Sequence, residues 1–415
     1  MYRPILAGLA SVLALMEPVA AAPKNLPGAT VGELTALARL LSPELAAAAL
    51  MAEAATARII SAGALPDPTL RVDADNLDER DISMNGRSIT LRLMQEFPLW
   101  GKLGLKRDIA GFEAAAARFR RRGVEFELVA RVKSVFAARY ATFQASALTQ
   151  RALDAVNTAA ATLRDRYSQG GTTQEDVLRL EIEAEELRIE LERLRGQQFK
   201  TAAQLNALLN RRPDEPFARP ASLRPLPPER SLNVTILVER AIRQNPTIAE
   251  SQAKAASAGI MSTLAERNRY PDVTLGVMTK RDRDGYAGTG VMGEIRVPLQ
   301  REAKEAEVSA ASAERVAAEH RFSLARATVA GEVGALFAEY RAAARVLAIL
   351  QQHHLPKSEL IIRSSLSGLQ SGQGDVLRVL DAVRRLRNVQ LEILKLQIQQ
   401  QVSLAEIEKA IGGDL

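Results

Sequence analysis

The sequence has no cysteine and few aromatic residues, and each shortage narrows what the chain can do. Without cysteine it can form no disulfide, no thiolate metal site and no cysteine nucleophile, and it offers no thiol for lipid attachment. Aromatic residues make up 4% of the chain, while Ala, Leu, Arg and Glu are abundant, which favours long helices. A phosphate-binding Gly-Lys-Ser/Thr loop, a Gly-x-Ser-x-Gly motif and His-Glu-x-x-His are all missing, so we predict a protein that is not an enzyme and uses no cofactor.

Long apolar runs are also missing after the N-terminus. Residues 1–22 are predicted to be a secretory signal peptide, with Arg3 before a short apolar stretch and small residues at its end; an N-terminal helix of the mature fold is the alternative. Beyond them no run of about 18 apolar residues occurs, so a chain that crosses a bilayer must do so as a closed β-sheet. The net charge of +6 is modest, and Arg interleaved with Glu indicates solvated helix faces rather than nucleic-acid binding.

Two stretches of alternating apolar and polar residues each predict a β-hairpin. The strands are expected at about residues 69–77 and 87–97, and again at about 272–280 and 288–298. Each has roughly the nine to eleven residues of a tilted strand that crosses a bilayer. Leu91 and Leu275 belong to the apolar set. The polar set on the other face, which we expect to line a water-filled lumen, is Arg71, Asp73, Asp75, Arg92, Glu294 and Arg296.

Each hairpin leads into a very long helix. The first is predicted from Lys102 to about Tyr167, roughly 66 residues or about 100 Å. The second runs from Glu302 to about Ser365, interrupted by Pro356. His353 and His354 lie on it side by side and point in different directions, so no metal site is predicted there. Phe97 and Trp100 precede the first long helix and would form an aromatic belt at the membrane surface; a buried anchor between strand and helix is the alternative for Trp100.

Each long helix ends in a glycine-rich turn, followed by a shorter return helix that begins almost identically. Asp176-Val-Leu-Arg179 follows the first turn, and Asp375-Val-Leu-Arg378 follows the second. Apolar residues spaced by three and four then predict a coiled-coil seam. The glycines of the two turns are Gly170, Gly171, Gly372 and Gly374.

The whole plan is therefore an internal duplication. Residues 23–231 form the first repeat, with a long helical hairpin at 102–210 and a proline-rich connector at 211–231. Residues 232–415 form the second, with a hairpin at 301–411. Helices capped by Ser42-Pro43 and Asn245-Pro246 precede the strands, and we expect each to stack end to end on the return helix of the other repeat. Four strands cannot close a barrel, but three chains supply twelve and leave a lumen.

The duplicated plan, the Asn245-Pro246 helix start and the two glycine-rich tips with Asp-Val-Leu resemble the TolC family of outer-membrane efflux channels. The resemblance covers essentially the whole chain after the signal peptide. Leu65-Pro-Asp-Pro68 and Gln95–Lys102 are similar to the CzcC branch, which serves heavy-metal efflux.

The resemblance implies a mainly α fold, in which long antiparallel coiled-coil helices form an α-barrel and four strands per chain contribute to a trimeric 12-stranded β-barrel. It also implies a homotrimer in the outer membrane of a Gram-negative bacterium, with a large periplasmic part. Such a trimer is a passive exit duct for substrates, here heavy-metal cations, that a resistance–nodulation–division (RND) pump of the inner membrane delivers through a periplasmic adaptor (a membrane fusion protein). A drug-efflux duct, a type I secretion duct and a periplasmic coiled-coil scaffold are the alternatives.

The resemblance further assigns roles to the tips. Asp375 and Asp176, with Arg378 and Arg179 one turn away, become candidates for the periplasmic gate, and the tip glycines become the adaptor-docking points. Helix capping alone is the alternative for both aspartates, and a tight turn that needs positive φ is the alternative for the glycines.

Overall fold

The computed structural model describes residues 26–75, 88–228, 232–281, 285, 287–371 and 375–415. The predicted signal peptide, Gly372 and Gly374 lie outside these residues. The first repeat contains α1 Val31–Leu41, α2 Pro43–Ala62, β1 Thr69–Asp75, β2 Ser88–Phe97, α3 Lys102–Ser168 and α4 Gln174–Leu208. The second contains α5 Val234–Gln244, α6 Pro246–Arg267, β3 Asp272–Arg281, β4 Ala287–Arg296, α7 Arg301–Ile349, a π-helical turn Leu350–His354, α8 Leu355–Ser371 and α9 Val376–Ile411.

The helices before the two hairpins begin as their sequences predict. Ser42 caps α2 by accepting a hydrogen bond from the Leu45 N–H, and proline occupies the first turn, where its missing N–H costs nothing. Asn245 caps α6 in the same way, since its Oδ1 lies 2.8 Å from the Thr247 nitrogen. These caps fix where each helix starts, and thereby where the following strand begins.

The four strands form one antiparallel sheet in the order β1-β2-β3-β4. Its register aligns Leu70 with Leu93 and Leu93 with Val277, so the alternating residues of all strands fall into two common faces. One face is apolar and exposed in the single chain, and includes Leu70, Val72, Leu91, Leu93, Leu275, Val277, Val291 and Ile295. Among the described strands, β1 and β4 each have a neighbour on one side only, so they are the two edges of this sheet.

The helices lie beside one another in the same order as the strands they adjoin. Near the sheet, α2 packs on α3, α3 on α6, and α6 on α7. Farther away, α4 replaces α2 beside α3, and α9 lies between α3 and the end of the α7–α8 helix. The predicted seam is confirmed there, because one buried cluster joins Leu163 of α3, Leu180 and Leu187 of α4, and Val379 and Val383 of α9.

The end-to-end stacking differs from the prediction. The return helix α9 ends at the start of α6, where the Asn245 Nδ2 donates to the Ala410 carbonyl oxygen at 2.8 Å. The end of α4 shares a buried cluster with Leu34 of α1, and Leu45 of α2 packs against it. Stacking therefore occurs within each repeat rather than between repeats. Helix lengths alone could not distinguish the two pairings, because the corresponding helices of both repeats are nearly equal in length.

The second long helix also departs from the prediction. Pro356 lacks an N–H, and its ring crowds the preceding helical turn. A π-helical turn precedes it, and this wider turn lets the helix continue past the proline. The helix then continues to Ser371, beyond its predicted end at about Ser365, and Leu369 is buried in the same cluster as Leu163 and Val379. His353 and His354 are exposed on the π turn.

Among the described residues one helix, α2, is long and apolar enough to cross a membrane by length and composition alone. Glu53 and Arg58 interrupt its apolar residues. It lies along α3, and its Glu44 pairs with Arg131 of that helix at 2.5 Å. Its contacts are therefore those of a helix within the array.

Candidate functional site

The polar face of the sheet gathers most of the predicted lumen residues. Register places Arg71, Asp73, Arg92, Glu294 and Arg296 on the face opposite Leu91, as alternation predicts. Arg71 and Arg92 lie directly across from each other, and like charges in that position repel. Asp73 reduces this repulsion, since it accepts a hydrogen bond from the Arg71 Nε at 2.8 Å and a second from Arg92. Asp75 ends β1 opposite Ser88.

Besides Asp272, which is aligned with Arg296 and bonds Lys102, two charged residues of this face are absent from the predicted lumen set. Glu96 lies one row from Arg296, whose Nη1 is 3.6 Å from the glutamate oxygen. Lys280 is aligned with Thr90 near the far end of the strands. The same alternation that selected Arg92 could have found both, because Glu96 is four residues along the same strand.

Trp100 and Lys102 form a junction between the two repeats, where β2 enters α3 and α6 enters β3. Trp100 and Gly101 both adopt positive φ, 65° and 75°, which turns the chain sharply from strand to helix. The Trp100 ring lies against Tyr270 with centroids 5.0 Å apart, and its Nε1 donates to the Pro271 carbonyl oxygen at 2.9 Å. Trp100 is 49% exposed, so it packs at the junction without being the buried anchor of the alternative interpretation.

Lys102 is the buried member of this junction. Its Nζ lies 2.9 Å from the Tyr270 carbonyl oxygen and 2.8 Å from the nearer carboxylate oxygen of Asp272. Asp272 also accepts from the Leu99 N–H at 3.0 Å. Phe97 belongs to the apolar face, aligned with Val273, and is partly exposed.

At the first tip, glycine and capping threonine carry the turn. Gly170 takes φ 74°, and the Gly171 N–H donates to the Arg166 carbonyl oxygen at 2.8 Å, closing the end of α3. Thr173 caps α4 by accepting from the Asp176 N–H at 3.2 Å, and its hydroxyl donates back to the Asp176 carboxylate at 2.8 Å. The cap of α4 is therefore Thr173, and Asp176 lies in the first helical turn with its carboxylate bonded to that cap.

At the second tip, Asp375 caps α9 directly. Its Oδ1 accepts from the Leu377 N–H at 3.0 Å. Among the described contacts, neither arginine side chain bonds the aspartate one turn before it. The Arg179 side chain pairs with Glu175, and the Arg378 side chain is exposed. Only the backbone N–H of Arg378 donates to Asp375, at its carbonyl oxygen. Val177 and Val376 share one buried cluster, so the two helix starts lie side by side.

A buried charge cluster lies where the return helix α9 ends. Glu408, 4% exposed, accepts from Lys133 of α3 at 2.8 Å and from Arg224 of the proline-rich connector at 2.7 Å. Lys133 also bonds Asp414 at 2.5 Å, and this hydrogen bond lowers the pKa of Asp414, against a smaller opposing effect of burial. The cluster joins three separated segments, and sequence spacing gave no signal for it.

A sequence profile of the outer membrane efflux protein family matches residues 34–211 and 237–413, which correspond to the two repeats. The chain belongs to the outer membrane efflux protein family. No curated protein matches it at a significant level of sequence similarity. Membership in this family of efflux channels agrees with the expectation that the chain is not an enzyme.

Solved structures of outer-membrane channels share the fold of this outer membrane efflux protein. The channel CusC superposes with a TM-score of 0.81 at 17% identity, covering 94% of this chain and 93% of CusC. VceC of Vibrio cholerae gives 0.78 at 20% identity, covering 92% of this chain and 96% of VceC. The open state of MtrE of Neisseria gonorrhoeae gives 0.76 at 18% identity, covering 93% and 89%. The resemblance to TolC-family channels is therefore confirmed, together with the mainly α, duplicated fold.

Proposed function

We propose that this chain forms a homotrimeric duct through the outer membrane of a Gram-negative bacterium, with its helices in the periplasm. The duct is the passive exit of a tripartite efflux system, fed by an RND-type inner-membrane pump through a periplasmic adaptor. The observation that carries the proposal is the sheet, whose two faces differ sharply in polarity while both of its edges lack a partner among the described residues.

The two faces fit a wall between lipid and water. The apolar face exposes Leu91, Leu275 and Val291, which would be stable against lipid and costly against water. The opposite face carries Arg71, Asp73, Arg92, Glu294 and Arg296, paired or solvated, as a water-filled lumen requires. In this arrangement Phe97 and the exposed part of Trp100 contribute to the aromatic belt.

Both sides of the subunit expose apolar residues on helices as well as unpaired strands. On the β1 side, α2 and α4 pack mainly on α3 and expose Leu50, Met51, Ile60, Leu178, Ile182 and Ile189. On the β4 side, α7 and α8 expose Val316, Leu324, Val346, Leu360 and Ile361. Two different surfaces that fit each other make a head-to-tail contact, which closes as a ring, and three chains give twelve strands.

The helical tips are the proposed periplasmic mouth. Asp375 caps α9, and Asp176 lies in the first turn of α4, bonded to its cap Thr173. In three copies these aspartates would also surround the entrance and repel one another, which would make the entrance sensitive to adaptor docking, with Arg179 and Arg378 one turn behind. The exposed Gly170 and Gly171, and with them Gly372 and Gly374, would let an adaptor tip approach closely.

Heavy-metal cations are the proposed cargo, on the strength of the Leu65–Pro68 and Gln95–Lys102 segments. Deleting the gene and challenging the cells with copper, zinc, cobalt, cadmium and drugs tests this. Lost metal resistance, restored by the wild-type chain, supports the proposal. Lost resistance to drugs alone would favour a drug-efflux duct, and a soluble periplasmic product would favour a coiled-coil scaffold.

A further inference from the structure

Three methionines lie together on the polar face of the sheet, although they are far apart in the sequence. Met94 of β2 and Met292 of β4 are both aligned with Gly276 of β3, one on each side. Met278 follows Gly276 by two residues and therefore lies on the same face. Within the described strands these three are the only residues of the polar face with apolar side chains larger than glycine.

The methionine side chains converge because two glycines leave room for them. A Cβ placed on Gly276 would lie 3.1 Å from the Cγ atoms of both Met94 and Met292, so both side chains lie over that glycine. A Cβ placed on Gly290 would lie 2.9 Å from the Met278 Cε, so the end of Met278 reaches across to β4, two residues from Met292. The three methionine side chains thus lie in one patch, in which Met94 and Met292 are partly buried and Met278 is exposed.

The segregation of methionine between the two faces is the chemical clue. The apolar face uses Leu, Val and Ile, and none of its described residues is a methionine. If the polar face needed only apolar filling, the same branched residues would serve. A thioether differs from them in its polarizable sulfur, which is a soft ligand that selects copper(I) over hard and borderline cations.

Charged residues of both signs border the methionine patch. Glu96 and Glu294 lie in the next row on one side of the patch, both aligned with Thr274. On the other side Arg92 is aligned with Met278 and bonded to Asp73, which Arg71 shares, and Lys280 lies one row beyond. The patch is therefore bordered by carboxylates on one side, of which Glu96 is paired with Arg296, and by the cations Arg92 and Lys280 on the other.

We propose that Met94, Met278 and Met292 form a binding subsite for a soft monovalent cation, copper(I) or silver(I), on the polar face of each subunit. As a lumen site it rests on the proposed function, and it narrows the cargo class to thiophilic d10 ions. Partial exposure and neutral ligands make such a site labile, as a duct requires, because an ion must leave as readily as it enters.

Silver(I) binding to the full chain in detergent tests the subsite. Purified protein is dialysed to equilibrium against silver nitrate in chloride-free buffer, and the bound metal is counted by mass spectrometry. We expect the Met94→Leu, Met278→Leu, Met292→Leu triple variant to lose one silver ion per chain, while zinc binding does not change. Leucine keeps the volume and removes the sulfur. The matched control, Met51→Leu with Met261→Leu, changes two methionines that line a groove between α2, α3 and α6 and should bind silver like the wild type.

Equal silver binding by the triple variant and the wild type would overturn the subsite. If the triple variant does not fold, the single Met94→Leu and Met278→Leu variants decide, since each removes one ligand and should weaken binding. Particle size, measured on the same samples, separates this proposal from the previous one. A membrane trimer that binds no silver contradicts only the subsite, whereas a chain that binds silver without forming a trimer contradicts only the duct.

Discussion

The Lys102 Nζ lies between the two carboxylate oxygens of Asp272, 2.9 and 2.8 Å away, and this contact joins the first repeat to the second. Lys102 is 4% exposed and stands at the first residue of α3, while Asp272 is the first residue of β3. The pair therefore ties the start of α3, which follows β2, to the start of β3, which follows α6. These are the two central strands of the sheet.

Removing one partner of this pair should be costly, because it leaves the other charge partly buried and unpaired. We expect Lys102→Ala to lower the free energy of unfolding by about 3–5 kcal/mol. Lys106→Ala, four residues along the same helix and exposed, should change it little. Thermal unfolding of the purified protein measures both. The double variant Lys102→Met, Asp272→Leu should be more stable than Lys102→Met alone; the opposite order would show that the pair is not the source of the effect.

Adjacent residues of β3 should respond oppositely to the same charge. Leu275→Arg places a cation on the apolar face and should weaken assembly by roughly 2–4 kcal/mol if that site faces the bilayer midplane. Leu91→Arg should do the same. Thr274→Arg lies on the polar face and should assemble normally. The amount of outer-membrane trimer in each strain is the measurement. Equal yields from Leu275→Arg and Thr274→Arg would contradict the proposal that the apolar face contacts lipid.

Asp375 can be tested for gating separately from capping. Asparagine caps a helix as well as aspartate does but carries no charge, whereas alanine loses about 0.5–2 kcal/mol of cap stability. If three Asp375 carboxylates surround a closed periplasmic entrance, Asp375→Asn and Asp375→Ala should both raise single-channel conductance in a planar bilayer. A closed channel in the asparagine variant, with destabilisation confined to alanine, would leave Asp375 with the capping role observed here.

Acid should weaken the contact between Lys133 and Asp414. The pKa of Asp414 is lowered in the folded chain by its hydrogen bond from Lys133, so the bond adds stability above the pKa of the unfolded chain. That stability is lost as the pH falls through the lower, folded pKa. Because the Asp414 side chain is 72% exposed, the gain is small, about 0.2–1 kcal/mol. Asp414→Asn should therefore be slightly less stable than the wild type at neutral pH and equal to it in acid; a difference that persists in acid would assign the effect to packing.

The helices and strands were predicted well, because the sequence patterns that specify them lie within short segments of the chain. The proline caps at Ser42 and Asn245, the period-two strands and the heptad seam each follow from a short stretch of chain. The stacking of α9 on α6 did not follow, because it depends on contacts between residues 165 positions apart, such as Asn245 with Ala410.

The candidate sites divide in the same way. Alternation predicted the face of Arg71, Asp73 and Arg92, since each strand carries its own pattern. The methionine patch escaped notice because it depends on the register between β2, β3 and β4, which no single strand specifies. The junction of Trp100 and Lys102 with Tyr270 and Asp272 likewise joins two repeats across a long sequence separation.

The mass of the particle extracted from cells tests the central claim most directly. Membranes are fractionated and the protein is extracted in mild detergent. The mass of the particle is then measured in detergent, and the mass of the bound detergent is subtracted. Three copies of the chain in the outer-membrane fraction are the predicted result, because in the proposed duct the β1 and β4 edges pair between subunits. A monomer or dimer in the soluble periplasmic fraction would contradict it, since the apolar face of the sheet would then have no lipid to contact.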